Sequence, residues 1–185
     1  YITLAHLLIY IALILVPFLF NFMPQYSASI TSFYMVALTI LISCNSFGFL
    51  DLLIARNLEK VAAKLSAFAL IMNCSLAYVF VSHFYVPYSY VIIATLLTYL
   101  LFSLGAIVYG MRCIGQLSFL DIFRNWIPPR LFISYFMTLA IILVGCEEFI
   151  YVPLTIFIVL NWRVIAEIKT TISLLMKSPE IVNLK

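Results

Sequence analysis

The sequence predicts an all-α polytopic membrane protein of about six transmembrane helices. Of its 185 residues, 66% are hydrophobic and only 9% are charged, and its mean hydropathy is +1.19. A soluble domain is about 45–50% apolar, so it would have no interior large enough for these side chains. The apolar runs are continuous and do not alternate with polar residues, which favours helices over a membrane β-barrel.

Six apolar runs approach the length of about 20 residues that crosses a hydrocarbon core. The last two are short and are joined by the turn GCEE, so they form either two spans or one tilted hairpin. We count them as two spans and assign residues 1–162 to one transmembrane bundle. The predicted spans cover residues 2–22, 29–54, 65–82, 88–111, 131–145 and 149–162.

Basic residues follow the second, fourth and sixth predicted spans only. The other three links, MPQYSA, HFYVP and CEEF, contain no Lys or Arg. With an even number of spans the three basic links fall on one face, and an excess of Lys and Arg marks that face as cytoplasmic. Both chain ends are therefore expected in the cytoplasm. The residues predicted to set this topology are Arg56, Lys60, Lys64, Arg112, Arg124 and Arg130.

Two further segments have amphipathic patterns. Residues 114–129, IGQLSFLDIFRNWIPP, are too polar to span, and their apolar residues recur at helical spacing. The tail, residues 163–185, repeats isoleucine and leucine in the same way. Both patterns are typical of helices that lie along the membrane surface.

Several polar residues lie within the apolar runs. Asn45 and Ser46 belong to the second predicted span and Asn73 to the third. These residues either form hydrogen bonds between helices or line a polar cavity. Asp51 is an acid one turn from the end of its span, so it is either a functional intramembrane carboxylate or an interfacial acid paired with Arg56 or Lys60.

The sequence gives no support for an enzyme, a metal site or a nucleic-acid partner. The four cysteines show no CxxC spacing, and His6 and His83 stand alone without neighbouring carboxylates. Phosphate-binding and nucleophile motifs do not occur. We also expect more protein upstream, because the chain starts at Tyr1 inside an apolar run that lacks the features of a signal peptide.

Five short patterns occur in a characteristic order between residues 15 and 131. They are Pro24 and Tyr26 in a P-x-Y motif, LLIARNLEK after a span, Asn73 in mid-span, YVIIATLLTYL at residues 90–100, and a closing pattern at residues 118–131. In this order they resemble the C-terminal part of polysaccharide flippases. These are the O-antigen and capsule exporters of the multidrug/oligosaccharidyl-lipid/polysaccharide exporter superfamily, which have a MATE-like fold.

The resemblance implies one of the two helical bundles of such a flippase. Its members move an undecaprenyl-diphosphate-linked oligosaccharide from the cytoplasmic to the periplasmic leaflet of the bacterial inner membrane. An ion gradient is suspected as the driving force, and no other cofactor is implied. Partners would be the lipid-linked oligosaccharide, membrane lipids and a missing N-terminal half. No catalytic residue carries over from the resemblance. The substrate-cavity candidates are instead polar groups expected to face the cavity, namely Asn45, Ser46, Asp51, Asn73 and Thr95.

Two alternatives stay open. A small membrane scaffold or assembly subunit would use the same polar residues to hold helices together. Half of a drug exporter from the same superfamily would also share the predicted architecture, and neighbouring glycosyltransferase genes would favour the polysaccharide flippase over it.

Overall fold

A computed structural model of the chain describes residues 2–115 and 129–177, without the side chains of residues 88, 89 and 168–177. The described residues form helices, short 3₁₀ segments and turns, and no strand. The fold class predicted from the composition is confirmed at this level. The helices, in chain order, are α1 (Ile2–Phe22), α2 (Ile30–Asn45), α3 (Phe49–Ala55), α4 (Glu59–Ser82), α5 (Tyr88–Ile114), α6 (Pro129–Val144) and α7 (Tyr151–Lys177).

Five segments of the described chain are long and apolar enough to cross a membrane, where six spans were predicted. They are Ile2–Phe22, Pro24–Asn45, Glu59–Ser82, Tyr90–Ile114 and Glu147–Glu167. The remaining predicted span corresponds to α6, which has 16 residues. At 1.5 Å per residue this helix is about 24 Å long, shorter than the hydrocarbon core of about 30 Å.

The second predicted span, residues 29–54, is not one continuous helix. A 3₁₀ turn over Pro24–Ser29 leads into α2, which ends at Asn45, and α3 begins at Phe49. The Ser46 hydroxyl donates to the Ser43 carbonyl oxygen at 3.0 Å, so it replaces a helical backbone bond at the end of α2. Gly48 then adopts a left-handed conformation with φ of 86°, which glycine tolerates best.

The charged link after α3 is shorter than its composition predicts. The third span was expected to begin at residue 65, but α4 begins at Glu59. Glutamate, lysine and alanine are good helix formers, so EKVAAK extends the apolar helix instead of ending it. None of the residues of α4 is fully buried, and the helix packs mainly against α5 and α3.

The last described helix runs without interruption from Tyr151 to Lys177. It extends beyond the sixth predicted span, residues 149–162, into the segment predicted to be an amphipathic tail. The rest of that tail, residues 178–185, lies outside the described residues. So does most of the predicted interfacial helix at residues 114–129, including Arg124.

The helices pack in two groups that share α2. On one side, α1, α2, α6 and α7 form a closed ring in which each helix contacts two others, and we call this ring the four-helix unit. On the other side α2 and α3 pack on α5, and α5 packs on α4. The apolar core lies in the four-helix unit, and its fully buried members include Leu13, Leu38, Leu41, Ile142 and Phe157.

Candidate functional site

A buried histidine joins three helices of the four-helix unit. The His6 side chain on α1 is 1% exposed, and its Nε2 lies 3.0 Å from the Asn45 side-chain oxygen on α2. The Phe157 ring of α7 stacks on the imidazole, with centroids 5.9 Å apart and planes at 13°. Because the Asn45 oxygen only accepts, Nε2 carries the hydrogen in this contact.

Further polar side chains surround this histidine. Tyr10, one turn along α1, lies 5.1 Å from Phe157 between ring centroids and beside Thr138 and Tyr135 of α6. Asn161, one turn along α7, is 1% exposed and donates from Nδ2 to the Phe157 carbonyl oxygen at 2.9 Å. We call the set of His6, Tyr10, Asn45, Phe157 and Asn161 the histidine cluster.

Several polar atoms of this interior lack a hydrogen-bond partner among the described residues. They are His6 Nδ1, the Tyr34 and Tyr135 hydroxyls, Ser134 Oγ and Asn161 Oδ1. Buried polar groups are nearly always paired with protein or ordered water, and bound water typically occupies buried sites that offer several polar partners. The apolar core of the four-helix unit therefore contains several buried polar atoms that are suited to binding water.

Ser46 makes a second polar contact, on the opposite side of α2. Its hydroxyl oxygen lies 3.0 Å from the Ser103 hydroxyl of α5, and the Ile42 carbonyl oxygen lies 3.2 Å from the same Ser103 hydroxyl. Because the Ser46 hydrogen is donated to Ser43, the single Ser103 hydrogen is shared between the Ser46 oxygen and the Ile42 oxygen. Ser46 is 4% exposed and Ser103 is 3% exposed. These bonds hold the end of α2 against α5 at the point where the helix breaks.

The other predicted asparagine lies between α4 and α5. Thr95 donates from its hydroxyl to the Asn73 side-chain oxygen at 3.2 Å. An open cavity of about 230 Å³ lies beside this bond, and we call it the asparagine groove. Its lining includes Ser66, Asn73, Thr98 and Tyr99. Thr98 is 2% exposed, and its hydroxyl has no partner among the described residues.

The remaining predicted cavity residue, Asp51, is exposed. It lies in the first turn of α3, and no ion pair joins it to Arg56, Lys60 or any other residue within the described ranges. The structure therefore gives neither a buried carboxylate nor the interfacial ion pair that was the alternative interpretation.

The five predicted residues do not meet in one cavity. Asn73 and Thr95 bond to each other, whereas Asn45 and Ser46 face α1 and α5 respectively, although they are adjacent in sequence. His6, Asn161 and Thr98 are not among the site residues predicted from the sequence. The signal that could have found the first two is polar or aromatic residues four apart on one helix face, as in His6 with Tyr10 and Phe157 with Asn161.

The predicted topology-setting residues are exposed wherever the structure describes them. These are Arg56, Lys60, Lys64, Arg112 and Arg130.

The last turns of α5 pack against α3 and the first half of α4. Gly110 faces Phe49 there, and Gly105 faces Leu65. Elsewhere in the bundle, Thr31 at the start of α2 donates to a Glu147 carboxylate oxygen at 3.3 Å.

No family model matches the sequence, and no curated protein or solved structure matches it either. The class of the protein therefore rests on its own fold. That class is an all-helical protein with several helices long and apolar enough to span a membrane, and with polar side chains buried between them.

The Asn73–Thr95 bond allows a direct test of its structural weight. We expect a double-mutant cycle of Asn73→Leu and Thr95→Val to give a coupling free energy of about 0.5–1.5 kcal/mol, as for other hydrogen bonds between membrane helices. The measurement is unfolding of the purified protein in mixed detergent micelles. A coupling near zero together with loss of function would instead favour a role of Asn73 in lining the asparagine groove.

Proposed function

We propose that the chain is part of a membrane transporter that flips an undecaprenyl-diphosphate-linked oligosaccharide across the bacterial inner membrane for polysaccharide biosynthesis. The observation that carries this proposal is the histidine cluster. Ionisable and polar residues are costly within a membrane, and those that occur there typically mark pathways for substrates or ions. The class of substrate is proposed from the resemblance of the ordered motifs between residues 15 and 131 to polysaccharide flippases.

The break between α2 and α3 supports the same proposal. Transporters often contain discontinuous membrane helices, whose unwound backbone lies near the substrate or coupling ion. Here the break lies directly after Asn45, the residue that binds His6. A polar contact beside a break in the helix is the arrangement that an alternating-access movement needs.

The proposed orientation places the basic links in the cytoplasm. Arg56, Lys60 and Lys64 lie around the α3–α4 link, Arg112 lies at the end of α5, and all four are exposed. An excess of basic residues is retained on the cytoplasmic side. The turn that contains Glu147 and Glu148 would then face the periplasm.

A membrane scaffold is the second candidate, and one observation favours it. The side-chain oxygens of Asn45 and Asn73 each accept a hydrogen bond from a neighbouring helix. The donors are His6 at 3.0 Å and Thr95 at 3.2 Å. Hydrogen bonds of this kind stabilise helix packing without any transport. The scaffold and the flippase differ in what happens to the lipid-linked oligosaccharide when the gene is lost.

Deletion of the gene tests the proposal. We expect surface polysaccharide to disappear and the lipid-linked oligosaccharide to accumulate in the cytoplasmic leaflet, where an added periplasmic glycan-modifying enzyme cannot reach it. Plasmid-borne wild-type protein should restore export, and so should a His83→Gln variant, because His83 is exposed at the end of α4, remote from the histidine cluster in sequence. Normal surface polysaccharide in the deletion strain would contradict the proposal.

A further inference from the structure

The histidine cluster contains an acceptor that the fold leaves unused. The Nε2–H of His6 is committed to the Asn45 side-chain oxygen at 3.0 Å, so Nδ1 presents a lone pair in the neutral ring. That atom is buried and has no partner within the described ranges. A lone pair held in this way takes up a proton from hydronium: one N–H bond forms as one O–H bond of the hydronium breaks, water leaves, and the Nε2–H bond to Asn45 is kept.

The surroundings of the ring include one aromatic face and, one helical turn farther along α7, a buried amide. Asn161 lies one turn from Phe157, and its Oδ1 is buried and unpartnered among the described residues. The Phe157 ring lies with its centroid 5.9 Å from that of the imidazole, within the distance at which an aromatic face attracts a cation. Protonation therefore changes Nδ1 from an acceptor into a donor that has no partner among the described residues.

A positive charge on the His6 ring has no ion-pair partner among the described residues. No ion pair to His6 occurs within the part of the chain that the structure describes, and an uncompensated charge in an apolar interior is costly. A proton on His6 thus favours movement of the ring or its neighbours toward water. The helices that pack around it carry other titratable or charged groups. These are Tyr10 on α1, Tyr34 and Cys44 on α2, Arg130 and Tyr135 on α6, and Tyr151, Arg163, Glu167, Lys169 and Lys177 on α7.

The element that such a movement would reach is the break after α2. Asn45 is the last residue of α2, and Gly48 holds the left-handed conformation three residues later. We propose that His6 is a proton-binding site whose occupancy is coupled through Asn45 to the conformation of the α2–α3 break. This inference deepens the proposed function, because it names the proton as the coupling ion, but its test needs no oligosaccharide.

The test uses the two histidines of the chain as probe and control. The wild-type protein, labelled with ¹³C-histidine and ¹⁵N-glycine, is titrated in lipid nanodiscs from about pH 4 to pH 9, the range in which histidines ionise. His6→Gln and His83→Gln variants assign the two imidazole signals, and either one alone suffices. We expect the His6 signal to follow a reversible one-proton curve, and the Gly48 amide to shift with the same midpoint.

Gly145 is the matched control for the backbone. It also has positive φ, at 78°, but it lies in the α6–α7 turn, so its amide should lack the His6 midpoint. A His6 signal that stays constant over the whole pH range would overturn the proton site, and a Gly48 amide that does not shift with the His6 midpoint would overturn the coupling. The two proposals can fail separately. If His6 of the purified protein titrates but deletion of the gene leaves polysaccharide export normal, the flippase proposal is refuted and the proton site stands.

Discussion

Replacing Phe157 with alanine is expected to lower the free energy of unfolding by about 3–5 kcal/mol, the usual effect of removing a buried aromatic ring. The Phe157 side chain is 0% exposed. It lies between α7 and α1, stacked on His6 and 5.1 Å from the Tyr10 ring centroid. Truncation would leave a cavity at the centre of the four-helix unit and remove the wall of the histidine cluster.

The measurement is unfolding of the purified protein in mixed micelles, with a denaturing detergent as titrant. Phe68→Ala is the matched control, because Phe68 on α4 is 60% exposed and its removal should cost less than about 1 kcal/mol. Equal effects of the two substitutions would mean that α1 and α7 do not pack around Phe157 as described. A loss confined to Phe157→Ala would support the four-helix unit.

The apolar helices could be predicted from the sequence because their signal is local. The first predicted span, residues 2–22, matches α1, and the fourth, residues 88–111, differs from α5 only in its last turn. Both are long apolar runs. Pro24 follows closely after the first, and Pro87 and Arg112 flank the second, so local signals define these ends. The same argument explains why α6 was counted as a span although it is only 16 residues long.

The helix break could not be predicted in the same way. Residues 29–54 are apolar enough for hydropathy to predict a single span. Hydropathy does not register hydroxyl groups that form hydrogen bonds with the backbone. At the break, the Ser46 hydroxyl donates to the Ser43 carbonyl oxygen and lies 3.0 Å from the hydroxyl of Ser103, a residue 57 positions away. Gly48 was a visible signal, but an isolated glycine in an apolar run is equally common in continuous membrane helices.

Part of the candidate site could be predicted from the sequence and part of it could not. Asn45 and Asn73 were chosen from the sequence because an amide inside an apolar run needs a partner, and both have one in the structure. Their partners could not be named, because His6 is 39 positions from Asn45 and Thr95 is 22 positions from Asn73. His6 was set aside as a lone histidine, since only helix packing brings Phe157 and Asn45 to it.

The close approach of α3 and α5 leads to a second large expected effect. A Cβ atom at Gly110 would lie 2.7 Å from Phe49 Cδ1 and 3.1 Å from Phe49 Cβ. The Phe49 ring packs against Ile107 and Met111 of the same helix, so it cannot rotate away freely. Gly110→Ala is therefore expected to lower the free energy of unfolding by about 1–3 kcal/mol, although alanine favours an isolated helix by up to about 1 kcal/mol.

Gly105→Ala on the same helix is the matched control. The added methyl group would meet Leu65 Cδ2 at 2.9 Å, but that atom is the end of a flexible side chain and can turn aside. We expect this variant to be as stable as the wild type or more stable by up to about 1 kcal/mol. Adding Phe49→Ala should remove most of the difference between the Gly110→Ala and Gly105→Ala variants, because the obstructing ring is then absent. If the two glycine variants unfold alike without it, α3 does not pack on α5 at Gly110, and the break after Asn45 loses the contact that holds its far side in place.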